Sequence, residues 1–291
     1  MKALVPLALL GLGTVGIGGW YKFHHLKPKT LRQYLEWQGF RLISDFETNY
    51  WQVVLEENGK IVSDLRINGV EEVKAWCKHH MDSENYEDLK ENASLLCVDN
   101  PKTVKGRIIQ LYGDTKRLIQ SGNEEDDKYK IAYVFRKHIN GFNSLIGYSP
   151  KIGEDGKEVE DLDAAKSAFK MWCTSSLDKP VDEILVLNVK ELCTPKEFSN
   201  IKELIEWRGE SNLLLTETEN FSYLISKYIS IRELDSWKAD NSNEDNYESL
   251  KMWCNNTLNR NFFEGKVFSE IYPKFRFRCL RKSMVTGELT L

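Results

Sequence analysis

Apolar residues recur at helical spacing in three segments of the chain, each containing a Trp-Cys pair. In each segment four positions lie on one helical face: the residue four before the cysteine, the tryptophan, the cysteine, and the residue four after it. The three sets are Val73, Trp76, Cys77 and Met81; Phe169, Trp172, Cys173 and Leu177; and Leu250, Trp253, Cys254 and Leu258. This period predicts an amphipathic helix with a buried apolar face. We therefore interpret Trp76, Trp172 and Trp253 as core residues and not as part of a cofactor site.

A shorter apolar pattern lies upstream of each Trp-Cys helix and ends at a glycine. The three segments are Leu31 to Gly39, Val104 to Gly113 and Ile201 to Gly209. Thr30, Thr103 and Ser199 precede them, and a hydroxyl there can accept a hydrogen bond from a free amide of the first turn. Glycine at the far end can adopt the left-handed conformation that closes a helix. The pattern predicts a short capped helix at each place.

The segments between these two kinds of helix are aromatic, and we predict that they are helical as well. They run from Tyr50 to Leu55, from Tyr129 to Phe135 and from Phe221 to Tyr228. Asn58-Gly59 and Asn140-Gly141 are typical helix stops, although the apolar residues around Asn58-Gly59 would also suit a β-hairpin. The acidic stretches 124–127 and 154–163 are interpreted as solvated loops.

A second cysteine, Cys97, Cys193 or Cys279, closes each segment. The run from Ile184 to Val189 is apolar except for Asn188, and Phe275, Phe277 and Cys279 alternate with arginines. Both patterns suit a short strand. The basic and aromatic stretch 274–282 is therefore interpreted as an edge strand with a charged outer face and not as a nucleic-acid site.

The pattern as a whole predicts three tandem repeats. Pro28-Lys29-Thr30-Leu31 recurs as Pro101-Lys102-Thr103-Val104, and a looser version follows Pro195. We expect an N-terminal segment at 1–27, repeat 1 at 28–100, repeat 2 at 101–194 and repeat 3 at 195–291. The expected fold class is mainly α, with three helical repeat units and minor β after an N-terminal membrane-spanning helix. The alternative is a set of α+β repeats.

The chain has six cysteines, two in each repeat, separated by 20, 20 and 25 residues. These separations fit neither a C-x-x-C redox pair nor a zinc knuckle, and pairing within a repeat is the simplest of the fifteen possible connectivities. We predict the disulfides Cys77–Cys97, Cys173–Cys193 and Cys254–Cys279, with buried free thiols as the alternative. Disulfides in every repeat indicate an oxidising compartment.

Residues Ala3 to Tyr21 form a run of uncharged, mostly apolar residues flanked by lysines. Its length matches the ~20 residues that a membrane-spanning helix needs, so we predict a retained membrane anchor. A cleaved signal and a buried apolar segment are the alternatives.

Gly11 to Gly16 matches the dinucleotide-binding pattern, but the strand and helix that this site requires are not expected around it. The basic flank favours a cytoplasmic body, whereas the cysteine pairs favour an external one, and we give the cysteines more weight.

Charge and motifs exclude several classes of function. The net charge is -4, and residues 1 to 32 carry five basic residues and no acid, so the remaining chain is more acidic still. Such a body does not attract phosphate backbones, and we expect no nucleic-acid partner. Cys77, His79 and His80 lie together, but the other repeats have no matching histidines, and we expect no metal and no cofactor. Hydrolase, P-loop and zinc-protease motifs are absent, and we predict that the protein is not an enzyme.

The glycine-rich anchor, the triple Lys-x-Trp-Cys helix and the Cys-to-Pro junctions together make a distinctive combination. In this combination the chain resembles the large paralogous families of uncharacterised proteins of haemotropic mycoplasmas. The resemblance implies a membrane-associated or surface-exposed protein, with a role in host contact or antigenic diversity. Repeat 1 departs from it by carrying Ala75 where the others have methionine, and repeat 3 by its longer cysteine spacing.

We therefore expect a membrane-anchored protein whose body is extracellular and acts in binding, as an antigen or in contact with a host protein. The first alternative is an anchored scaffold that faces the cytoplasm and keeps its thiols free. The second is an enzyme that uses carboxylates. The sequence alone does not favour one oligomeric state.

Overall fold

The computed structural model describes residues 27–154, 156, 158–241 and 246–281, and it is mainly helical, as predicted. The chain divides into two compact regions, a first region at Met1–Lys102 and a second region at Thr103–Leu291. The expected anchor and the Gly11 to Gly16 pattern lie outside the described residues. Among the helices that are described, none combines the length and the apolar character needed to cross a membrane.

Repeat 1 is helical throughout. Its helices are α1 (Leu31–Trp37), α2 (Thr48–Glu57), α3 (Gly59–Asp64), α4 (Val70–His80) and α5 (Lys90–Leu96). Helix α1 opens with the side chain of Thr30, which accepts a hydrogen bond from the amide of Gln33. It ends before Gly39, whose φ of 85° is the left-handed conformation that the sequence predicts.

Repeat 2 has the same order of helices and one addition. Its elements are α6 (Val104–Tyr112), α7 (Glu125–Val134), α8 (Phe142–Leu145), β1 (Lys151–Ile152), β2 (Glu158–Val159), α9 (Leu162–Leu177) and α10 (Glu183–Leu192). Strands β1 and β2 pair antiparallel, with Lys151 opposite Val159, and both strands are exposed. This hairpin is the minor β structure of the described chain.

Repeat 3 repeats the order again. Its helices are α11 (Ile201–Trp207), α12 (Phe221–Ile231), α13 (Asp235–Asp240), α14 (Tyr247–Leu258) and α15 (Tyr272–Cys279). A π-helical turn at Val267–Ile271 leads directly into α15. The predicted cap, Ser199, is wrong by one residue, because the side chain of Asn200 accepts the hydrogen bond from the amide of Glu203.

Two backbone hydrogen bonds recur at matching positions in all three repeats. In what we call the opening contact, the first residue of the first helix donates to the carbonyl six residues after the first cysteine. The pairs are Leu31 to Ser83 (3.0 Å), Val104 to Lys179 (3.0 Å) and Ile201 to Arg260 (3.2 Å). In the closing contact, an amide of the apolar patch after the first helix donates to the carbonyl of the second cysteine. The pairs are Ile43 to Cys97 (3.1 Å), Ile119 to Cys193 (2.8 Å) and Leu215 to Cys279 (2.8 Å).

The hydrophobic core is divided differently from the repeats. One cluster of buried residues runs from Leu31 to Val98 and belongs to repeat 1. A second cluster runs from Val104 to Leu280 and combines residues of repeats 2 and 3. The aromatic side chains of Phe135, Phe198 and Phe262 link the two repeats, since the ring centroid of Phe135 lies 4.9 Å from those of both others.

The closing segments are helices, and the prediction of strands there is wrong. Asp182 caps α10 by accepting a hydrogen bond from the amide of Leu185, and Val186 and Val189 are fully buried at helical spacing. In α15 the buried residues are Tyr272, Phe275, Arg278 and Cys279. An apolar or alternating run fits either period, and here packing against the preceding helices favours the helical one.

In the middle of the repeats, the prediction of a helix that stops at Asn58-Gly59 is confirmed, and the prediction of a helix stop at Asn140-Gly141 is wrong. There is no hairpin at Asn58-Gly59, because Asn58 lies between two helices and its side-chain amide donates to the carbonyls of Val54 (2.9 Å) and Leu95 (3.2 Å). Asn140-Gly141 does not end α7, which stops at Val134; Gly141, with a φ of 79°, instead precedes α8.

The acidic stretch 124–127 is not a loop, because its last three residues form the first turn of α7. Carboxylates are stabilised at a helix N-terminus. They are also paired here, Glu125 with Lys170 and Asp126 with Lys166, both at 2.8 Å. The stretch 154–163 includes β2 and the start of α9, and the hairpin part of it is exposed, as expected.

Candidate functional site

Each repeat contains one disulfide that joins its Trp-Cys helix to its closing helix. The bonds are Cys77–Cys97, Cys173–Cys193 and Cys254–Cys279, with Cα atoms 5.6, 5.9 and 5.7 Å apart. All six cysteines are buried, and none is free. The structure therefore brings together the cysteines that the sequence pairs within each repeat.

The three tryptophans of the repeated motif are placed less uniformly than predicted. Trp172 is buried, whereas Trp76 and Trp253 are only half-buried against the core. The fully buried face of each helix instead centres on the cysteine and the residue four before it. Trp76 packs on the ring of His80, and Trp253 is covered by the guanidinium of Arg278, 4.7 Å from the ring centroid.

Arg278 is the most deeply buried charged residue described, and the sequence analysis missed its role. Its guanidinium donates to Asp240 (2.6 Å) and to the carbonyl of Ser236 (2.8 Å), and it lies between the rings of Trp237 and Trp253. Burial raises the pKa of Asp240, but hydrogen bonds from Arg278 and Lys274 outweigh this and keep the pKa below its ordinary value. This cluster is a structural ion pair, since no part of it lines the groove at the junction of repeats 2 and 3.

A groove of about 1160 Å³ lies in the second region. It runs along α6, the end of α7, the chain between Lys190 and Phe198, the end of α11 and the π-helical turn. It is large enough for a small organic ligand, because such sites usually occupy ~300–1,000 Å³. The junction of repeats 2 and 3 therefore forms one wall of a binding-sized cavity.

Aromatic side chains form much of the groove lining. They are Tyr112, Phe135, Phe198, Trp207, Phe268 and Tyr272. Phe135 and Phe268 pack edge to face with centroids 4.6 Å apart, and Trp207, at the end of α11, is 59% exposed. His138 is exposed at the rim, where its ring stacks on Phe268.

The groove is positively charged although the whole chain is negative. Five basic residues line it, against three acidic ones. The acids are already engaged: Glu191 pairs with Lys190 (2.8 Å), Glu197 accepts from the indole of Trp207 (3.0 Å), and Asp114 pairs with Lys116 (3.5 Å). Arg117, Arg136, Lys196 and Arg208 have no carboxylate within 4 Å in the described part of the chain.

Arg136 lies at the floor of the groove and is 6% exposed. It donates to three backbone carbonyls, those of Ala132 (3.2 Å), Glu191 (3.1 Å) and Thr194 (2.8 Å). These bonds use three of the five N–H donors of a guanidinium. Burial lowers the pKa of Arg136 to about 10, partly offset by Glu191, so the side chain stays charged at neutral pH.

Lys196 is half-buried beside Arg136, with its ammonium 5.9 Å from the ring centroid of Phe135. Burial and the positive charge of Arg136 both lower the pKa of Lys196. Arg136 is buried and Lys196 is half-buried, and two such cations without a carboxylate are costly unless an anion is present, because each partly desolvated charge loses hydration. The geometry favours anion binding over acid-base chemistry, since each of the three acids of the lining is engaged by another side chain.

The Cys77, His79 and His80 group has no free thiolate in the structure, because the sulfur of Cys77 is bonded to Cys97. The two imidazole rings lie 4.8 Å apart. In the described residues no three Cys, His, Asp or Glu side chains are placed to hold a metal ion.

Sequence reasoning identified the junction after Cys193 as a boundary but missed the groove beside it. The signal in the sequence is weak, because Lys196 and Phe198 flank the acidic Glu197 and their partners Arg136 and Phe268 lie far away along the chain. Comparison of the chain with protein-family models, with curated proteins and with solved structures gives no match.

Proposed function

We propose that the protein is a binding protein held at a cell membrane by its N-terminal segment, with its body in the oxidising exterior. The observation that carries the proposal is the buried disulfide at the same position of every repeat. Disulfides persist outside the cell and in other oxidising compartments, and they are rare in a reducing cytosol. The apolar run from Ala3 to Tyr21 is long enough to act as the anchor.

Binding, rather than catalysis, is supported by the second region. Its groove combines aromatic surface with cations that have no carboxylate partner among the described residues, which is a composition suited to holding a ligand. The acids of the lining are each engaged by another side chain. A general acid-base reaction needs a free carboxylate or a comparable group near the reacting atom.

A role in host contact or antigenic diversity follows from the resemblance to the mycoplasma families and from the build of the repeats. The opening and closing contacts are alike in all three repeats, whereas the exposed parts differ. Repeat 2 carries the β1–β2 hairpin between α8 and α9, and exposed apolar side chains differ from one repeat to the next. A constant frame with unlike exposed segments suits a displayed protein.

The test is protease treatment of intact cells that express the full chain with a C-terminal tag. We expect loss of the tag in intact cells, with a cytoplasmic marker protected until the cells are permeabilised. Protection of the tag in intact cells would overturn the proposed topology and favour the scaffold that faces the cytoplasm.

A second measurement examines the cysteines directly. The purified protein is denatured without reduction, treated with an alkylating reagent and analysed by mass spectrometry, and we expect no alkylated cysteine. The Cys97→Ser variant supplies the matched control, because its single unpaired Cys77 should take up one label once the protein is denatured. Six labels on the wild-type chain would contradict the proposal.

A further inference from the structure

We propose that the groove of the second region binds a small amphiphilic anion, a molecule with one acid group and an apolar body. The inference deepens the proposed binding function and rests on it. The acid group would be held by Arg136 and Lys196, and the apolar body would lie on the aromatic wall formed by Phe135, Phe268 and Trp207.

The charge of the ligand follows from the two cations. Arg136 keeps two N–H donors beyond those that its three carbonyl partners use, and Lys196 has neither a hydrogen bond nor a carboxylate partner in the described chain. Both line the groove. A carboxylate, sulfonate or phosphate monoester accepts charge-assisted hydrogen bonds from such donors, and these bonds replace the hydrogen bonds to water that the donors lose on burial.

A cationic ligand is disfavoured by the same geometry. Aromatic rings can hold a quaternary ammonium, but here Lys196 already lies over Phe135 and Lys190 over Tyr112. A second cation would meet like charges at both rings. The groove therefore differs from an aromatic cage.

The apolar body follows from the remaining lining. Besides the aromatic rings, Ile108, Leu118 and Leu204 contribute apolar surface to the groove. A fully polar anion would leave this apolar surface in contact with water. Each buried methylene or ring edge adds affinity without adding specificity for one shape. Both acyl and aromatic bodies fit this description, and the experiment compares them.

The test uses calorimetric titration of the full chain in lipid nanodiscs, with empty nanodiscs as the blank. The probes are decanoate with its uncharged amide, decanamide, and 2-naphthoate with 2-naphthamide. We expect at least one acid to saturate a single site below about 1 mM and to bind about tenfold more tightly than its amide. The acid that binds more tightly identifies the apolar body as acyl or aromatic. Failure of both acids to saturate, or equal affinity of acid and amide, would overturn the inference.

Two pairs of variants locate the site. Lys196→Met should weaken binding of the acid about tenfold, the loss of one charge-assisted bond, while Lys196→Arg should retain most of the affinity. Lys202→Met is the control, because Lys202 is exposed on α11 and pairs with Glu206 instead of lining the groove.

Trp207→Ser should weaken binding of the acid and of the amide alike, by about fivefold, since it removes apolar contact and no charge. Trp37→Ser is the matched control, because Trp37 is the last residue of α1 as Trp207 is of α11, and it is also exposed, at 68% against 59% for Trp207. Unchanged affinity in both Lys196→Met and Trp207→Ser would place the ligand elsewhere and refute the inference.

The outcome is separable from that of the proposed function. If the chain is digested on intact cells and has no free thiol, yet binds neither acid, the proposed location stands and only the proposed ligand is refuted. If the chain binds an acid but is protected on intact cells, the proposed ligand site stands and the proposed location is refuted.

Discussion

Repeat 1 and the pair formed by repeats 2 and 3 share one local frame but divide their cores differently. Each repeat has the disulfide, the opening contact and the closing contact. Repeat 1 nevertheless has a hydrophobic cluster of its own, whereas repeats 2 and 3 are built around a single one. The frame therefore fixes the fold of a repeat without deciding how many repeats share a core.

The difference lies in the chain that follows the second cysteine. After Cys97 this chain is held by polar contacts: Asp99 accepts from Arg41 (2.9 Å), and the ammonium of Lys102 donates to Asn58 (2.6 Å). After Cys193 the chain brings Phe198 into contact with Phe135 and Phe262. An aromatic junction buries far more apolar area than a polar one, which is why repeats 2 and 3 form one region.

The largest effect is expected from Phe262→Ala, which removes a fully buried ring from the shared core. Large-to-small changes of this kind cost about 3–5 kcal/mol. We expect the thermal transition of the second region to shift as a whole, with the first region unaffected, as followed by calorimetry and by hydrogen exchange of α9 and α14. Separate melting of repeats 2 and 3 in the wild-type chain would contradict a shared core.

Leu35→Ala is the counterpart of this variant in repeat 1. Leu35 is fully buried in the first region, and its truncation should cost about 2–5 kcal/mol. Only the transition of the first region is expected to move. A shift of both transitions by either variant would show that the two regions unfold together.

Removal of a disulfide should cost about 3 kcal/mol in the region that contains it, because each bond closes a loop of 20 to 25 residues. Cys77→Ala with Cys97→Ala is expected to destabilise the first region alone, and Cys173→Ala with Cys193→Ala the second alone. Denaturant unfolding monitored by hydrogen exchange measures each. If repeat 2 lost its structure while repeat 3 kept its own, the disulfide and not the shared core would hold that repeat.

Asp240→Asn should destabilise the second region by about 2 kcal/mol, because it leaves the buried guanidinium of Arg278 without its carboxylate. The folded pKa of Asp240 lies below its ordinary value of 3.8. Its contribution is therefore complete above that value and is lost as the pH falls below it. Urea unfolding between pH 6 and about 3 should show a smaller difference between wild type and variant at the acid end.

The equivalent change in the first region is Arg41→Gln. Arg41 pairs with Glu47 and Asp99 but is 48% exposed, so we expect a cost of at most about 1 kcal/mol. A cost as large as that of Asp240→Asn would show that exposure is not what separates the two ion pairs.

The smallest effects are expected at the helix caps. Thr30→Ala and Thr103→Ala each remove one hydrogen bond to the first turn, at a cost of about 1 kcal/mol. Asn200→Ala should cost somewhat more, because Asn200 also donates to Glu203, whose carboxylate accepts from the amide of Ser199. Equal values for all three caps would indicate that this reciprocal arrangement adds nothing.

The parts that could be predicted from the sequence depend on short-range signals. The Trp-Cys helices follow from apolar spacing, the ends of α1, α6 and α11 follow from a capping side chain and a glycine, and the disulfides follow from the count of cysteines in each repeat. Each signal lies within a few residues or within one repeat. Tertiary packing did not override any of these signals, although α11 is capped by Asn200 and not by the predicted Ser199.

The parts that were missed depend on distant residues. Helices α10 and α15 have sequences that suit either a strand or a helix, and only their neighbours decide between the two. The shared core and the groove bring Arg136 together with Lys196, and Phe135 with Phe268, across long stretches of chain. The spacing of apolar residues within one segment cannot predict contacts between residues so far apart in sequence.

The donor residues of the opening and closing contacts are buried in the core, and the acceptor of each closing contact is a disulfide cysteine. The hydrogen bonds themselves join main-chain amides and carbonyls, so they need no particular side chain. Proline at the donor position is the exception, because it has no N–H group. Gene duplication followed by drift can thus replace nearly every outward-facing side chain, or insert a hairpin such as the one in repeat 2, while the scaffold persists. The surface of a repeat can therefore change at little cost to folding.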